Sequence, residues 1–111
     1  MNESPIFVKT HDLLQWLIPQ VQKFPRAHRF GLAERIQRTA MDFQDSLIAA
    51  GKSQPPERAE HLKQADILLE QLRFWMRLSY DLHLFDIGQY EHVSRIDVEI
   101  GRLLGGWMKK P

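Results

Sequence analysis

Apolar side chains in this sequence recur every three or four residues almost from end to end. The pattern breaks at Phe24-Pro25, along Gly51-Lys52-Ser53-Gln54-Pro55-Pro56, and at a short turn before Asp86. A period near 100° per residue marks amphipathic helices, and the breaks divide the chain into four of them, over about 5–23, 26–50, 57–84 and 87–108. No strand alternation competes. A length of 111 residues suits one domain, 1–111, that can bury a core without staples. The expected fold class is all-α, an antiparallel up-down four-helix bundle.

Local signals support each helix. Ser4 and Pro5 suit the cap and first position of the first helix, whose Ile6, Phe7, Leu13, Leu14, Leu17, Ile18 and Val21 share a face. Pro19 predicts a kink or an early end there. The second helix buries Phe30, Leu32, Ala33, Ile36, Ala40, Phe43 and Leu47, and Gly51 suits the position past its C-terminus. Asp86 and Gln89 have capping-box spacing at the start of the fourth helix, which turns Tyr90, Val93, Ile96, Ile100, Leu103, Leu104 and Trp107 inward.

The third helix has too much apolar surface for a lone bundle. Lys63, Asp66, Glu70, Arg73, Arg77 and Asp81 collapse onto one polar stripe, and nearly everything else is apolar. Such an excess marks an interface, so a homo-oligomer is expected. Its contact residues are expected among Trp16, Phe74, Trp75, Leu78 and Trp107, with core packing the alternative for the tryptophans. Gly101 and Gly105 lie beside the inner face of the fourth helix and suit close approach of another helix; Gly105-Gly106 alternatively marks a fraying end.

Charge is distributed unevenly. Net charge is +1, yet Lys23, Arg26, Arg29, Arg35 and Arg38 oppose only Glu34 within Lys23–Arg38, and His28 sits among them. That window carries +4 and leaves the rest of the chain net acidic. Arginines so clustered suit a phosphate backbone, to which they donate planar, paired hydrogen bonds. The competing expectation is a solvated face on which Arg38 pairs with Glu34 or Asp42. Arg73 and Arg77 form a second candidate contact, with an ion-pair network including Asp66, Glu70 and Asp81 as the alternative.

Several chemistries are disfavoured. There is no cysteine, hence no disulfide, thiol nucleophile or cysteine-held metal. None of the seven glutamates is followed three residues later by histidine, and His-Glu-x-x-His, Gly-x-Ser-x-Gly and Gly-x-x-x-x-Gly-Lys are all absent. Glu57 and His61, four apart, suit a helix start better than a metal. The chain is expected not to be an enzyme and to need no cofactor or metal. Met1-Asn2-Glu3-Ser4-Pro5 lacks the basic start of a signal peptide and no apolar run suits a membrane span, which together suggest a cytoplasmic protein without membrane contact.

Two stretches carry a family resemblance: Lys23-Phe24-Pro25-Arg26-Ala27-His28-Arg29-Phe30 leading to Glu34-Arg35-Ile36, and Glu99-Ile100-Gly101-Arg102-Leu103-Leu104-Gly105-Gly106-Trp107. With Ala65-Asp66, Leu72-Arg73, Met76-Arg77-Leu78, Asp81-Leu82 and Gln89-Tyr90-Glu91 between them, the chain resembles the accessory variability determinant (Avd) family of diversity-generating retroelements. The wider superfamily includes four-helix proteins associated with intervening sequences in ribosomal RNA genes. The resemblance implies a barrel-like homopentamer that binds nucleic acid and the element's reverse transcriptase, supporting the copying of template RNA into mutagenised complementary DNA. It attributes no catalysis to the accessory subunit. The implied contacts are Arg26 and Arg29, with Arg35, Arg38, Arg73 and Arg77 as further candidates. The alternatives are an oligomeric protein-interaction scaffold that does not touch nucleic acid, and an RNA-binding protein tied to intervening sequences of ribosomal RNA.

Overall fold

The computed structural model describes residues 4–110, and the N-terminal expectation at Met1–Glu3 lies outside them. Helix α1 spans Pro5–Gln22. Proline at its first turn loses nothing, because that N–H has no helical partner anyway. The expectation of an early end at Pro19 is corrected: the ring is exposed and the helix runs on to Gln22.

Helix α2 is one rod in three pieces: Arg26–His28, a π-helical turn over Arg29–Ala33, and Glu34–Lys52. The π-turn corrects the expected inner face. Leu47 follows Arg29 by 18 residues, about five turns of regular α-helix, so an unbroken helix would aim Arg29 at the core on Leu47's bearing. The wide turn accommodates one extra residue and rotates everything before it by about 100°. Arg29 therefore points out, His28 is half-buried in its place, and Phe30, expected in the core, is 81% exposed. Gly51 is also not the terminator expected. It lies inside the helix without positive φ, and the terminal carbonyls are satisfied by side chains instead. Ser53 Oγ donates to Ala49 O at 2.7 Å, and Arg58 Nε to Ala50 O at 3.0 Å.

Helix α3 spans Glu57–Asp81 and ends three residues earlier than its periodicity predicts. The chain turns at His83, whose φ of 62° is in the left-handed region, where histidine is better tolerated than most side chains. Ser79 O accepts from the N–H groups of both Leu84 and Phe85. Helix α4 spans Ile87–Lys109 and opens on the expected capping box: Gln89 N donates to Asp86 Oδ1 and Asp86 N to Gln89 Oε1, both at 2.8 Å.

Cross-helix contacts fix the directions. Phe7 at the start of α1 meets Trp107 at the end of α4, and Gln20 near the end of α1 meets Gln89 at the start of α4. Arg58 opening α3 bonds the end of α2, while Trp75 far along α3 meets Arg35 near the start of α2. Tyr80 stacks on Tyr90 at 4.9 Å across the α3–α4 turn. Successive helices are thus antiparallel, in a rod of 43 × 24 × 24 Å. Four helices and no strand occur among the described residues. Leu13, Leu17, Ile36, Phe43, Leu47, Leu62, Leu69, Leu72, Met76, Phe85, Ile100 and Leu104 fill the core, each fully buried aliphatic contributing about 2 kcal/mol.

The apolar excess on α3 is real in part. Leu68, Leu69, Leu72 and Met76 are core, and Trp75, Leu78 and Tyr80 are half-buried within the protomer. Ile67, Leu82 and Phe74, the last 66% exposed, remain uncovered, as does Val98 on α4 at 67%.

Candidate nucleic-acid interface

The basic window is held to one end of the rod by an aromatic anchor. Phe24 is buried edge-on against Phe85 at 5.3 Å, which pins the short link between α1 and α2 to the α3–α4 turn. Trp16 lies against the same Phe85 at 5.8 Å and against His92 at 5.1 Å. Pro25 then continues in extended geometry, and α2 begins at Arg26. From this anchored link Lys23, Arg26 and Arg29 project into solvent, with His28 half-buried among them.

The eight expected contact residues divide by what they touch. Among the described residues, no carboxylate stands within ion-pair distance of Lys23, Arg26 or Arg29, and their charge is available to an anion. Arg35 likewise has no carboxylate partner; its guanidinium stands 5.8 Å over the Trp75 ring, within cation–π range. Arg38 is paired with Glu34 at 2.6 Å, the alternative the four-residue spacing had suggested. Arg77 bonds Asp81 at 3.1 Å, and that hydrogen bond, with the carboxylate's charge, raises the guanidinium's pKa further above its ordinary value.

Arg73 is committed to the protomer's own interior. Its Nε donates to both carboxylate oxygens of Asp97 at 2.9 Å, with Glu70 more loosely placed at 3.9 Å. Asp97 is nearly buried, and loss of solvent raises its pKa even though Arg73 pulls it back down. Sequence reasoning missed this pair because its members are 24 residues apart. The available signal was Asp97's position, four residues after buried Val93 and three before buried Ile100.

The expected interface residues also divide. Trp16 and Trp107 are used inside the protomer, the latter tilted against Phe7 at 6.3 Å. Trp75 and Leu78 are half-buried, with Trp75 edge-on to Phe74 at 5.3 Å. Gly101 is approached by the Arg73 guanidinium of the same chain, so its missing side chain makes room for the Arg73–Asp97 pair. Gly105 faces open space, and Phe74 is the most exposed of the seven. Among the described residues no group of three or more histidines, aspartates or glutamates is placed to hold a metal ion, and no helix is long and apolar enough to cross a membrane.

An antiparallel bundle of four helices with unpaired cations gathered at the start of its second helix defines the class: a helical protein whose distinguishing chemistry is on its surface. The chain belongs to the bAvd-like family, whose model matches residues 6–111. A search of curated proteins gives no match to the chain.

Proposed function

We propose that this chain is a nucleic-acid-binding accessory protein of a diversity-generating retroelement. In this reading it works as a homopentamer that holds template RNA or complementary DNA for the reverse transcriptase and catalyses nothing itself. The observation that carries the proposal is the cluster of Lys23, Arg26 and Arg29, exposed and without carboxylate partners among the described residues, in a chain of the bAvd-like family. Cations so placed bind phosphates by releasing counterions, and each contact adds roughly 0.7–0.9 to the slope of log affinity against log salt.

The test is a salt titration of RNA binding. The native protein is expected to bind at low salt, and Arg26→Ala with Arg29→Ala is expected to reduce the slope by about 1.4–1.8 while helicity and oligomer size stay unchanged. Absence of binding at low salt removes the proposal. Co-purification with the reverse transcriptase tests the second partner.

A second reading has its own observation. Exposed Phe74 and Val98 suit a protein-interaction scaffold, which predicts no affinity for RNA and loss of a protein partner when Phe74 is replaced.

A further inference from the structure

We infer that Phe30 is a stacking platform for an unpaired nucleobase, so that this end of the bundle selects single-stranded over duplex nucleic acid; the inference rests on the nucleic-acid reading above. Phe30 is the most exposed large apolar side chain among the described residues, at 81%. The π-turn that carries it also turns Arg29 outward, and no atom of a neighbouring element lies within 4 Å of the place a side chain would start at Gly31. A largely solvent-exposed aromatic ring is thus carried one turn after unpaired Arg26 and next in sequence to unpaired Arg29.

The surroundings offer partners to both halves of a nucleotide. Past Phe30, a groove of about 700 Å³ runs between α2 and α3 to Trp75, lined by Glu34 and Asp42 and also by Arg35 and Arg38, so that its formal charges balance. Glu34 is paired with Arg38, and the Asp42 carboxylate can accept hydrogen bonds from base amino groups. Arg26 and Arg29, which have no carboxylate within ion-pair distance among the described residues, are the cations free to hold phosphate beside the ring, and the ring itself offers only a stacking surface. A base within a duplex is already stacked on both faces, so only an unpaired one can use the ring. A second copy related by a two-fold axis through this patch is a poorer occupant, because it would bring a like-charged +4 segment against Arg26 and Arg29; a ring contact, which would bring a different face, is read by the oligomer outcome below.

The test compares a single-stranded oligoadenylate with an RNA duplex of equal phosphate number, using the full chain at matched salt. Phe30→Ala is expected to weaken oligoadenylate binding between about 5-fold and 100-fold. Duplex affinity and the salt slope should stay unchanged, and Phe30→Trp should restore the loss. Equal weakening of both ligands, or of neither while the native protein still binds, overturns the stacking role and leaves the wider proposal standing. Dissociation of the oligomer by Phe30→Ala also overturns it, by making the ring a protein contact. A native protein that binds neither ligand removes both.

Discussion

Asp97 is the single buried carboxylate among the described residues, and Arg73 is what makes its burial tolerable. Breaking a buried pair from one side costs about 3–5 kcal/mol; because the Arg73 side chain is 35% exposed, about 2–3 kcal/mol is expected for Arg73→Met. The loss should depend on pH. An acid whose folded pKa is raised favours the fold while protonated, and that contribution disappears as pH rises through the folded value. Without Arg73 the folded pKa of Asp97 rises further, so the variant's deficit should be full at neutral pH and shrink as pH falls through that raised value, above the usual aspartate range, where Asp97 takes up its proton. Urea unfolding of both proteins across that range checks this, and a deficit independent of pH would contradict it. Ion pairs within one helix turn, such as Arg38 with Glu34, were legible in the sequence because helical geometry alone brings them together. Arg73 with Asp97 was not, because its partners meet only after α3 and α4 have packed.

The helices themselves were legible, and their ends less so. Period and capping chemistry placed the start of α4 correctly, since Asp86 and Gln89 satisfy each other's backbone groups without outside help. Gly51 misled because Ser53 and Arg58 meet the α2 carbonyls that a left-handed glycine would otherwise have served. The π-turn was illegible for a different reason: it is a correction of phase, driven by the need to keep Arg29 off the bearing of Leu47. Two glycines of α4 yield a paired prediction. Gly105→Ala meets no neighbouring atom and should stabilise the protomer by up to about 1 kcal/mol, the helix-propensity difference. Gly101→Ala places its methyl group on the Arg73 guanidinium, so part or all of the same gain should be lost through disturbance of the Asp97 pair. Thermal unfolding measured at the same protein concentration compares them, and an equal gain from both would show that Arg73 moves aside freely.

For the whole molecule, the bundle class and the concentration of positive charge were both apparent before any coordinates, while the placement of that charge at one end of a rod required the packing of Phe24 on Phe85. The uncovered side chains of α3 and α4 bear on assembly. If the chain assembles as proposed, Phe74→Glu should weaken that self-association by about tenfold or more, roughly the 1.4 kcal/mol or more that a buried aromatic anchor contributes, with helicity preserved because the ring is outside the core. Light scattering across a dilution series reads the change, and an unaltered mass profile would exclude Phe74 from the contact. The contact of Phe7 with Trp107 has a practical meaning of its own. It brings the first and last helical turns together at the end of the 43 Å axis opposite Arg26 and Arg29. A dye, affinity handle or surface tether joined to either terminus would therefore leave the arginine-bearing end facing the solution.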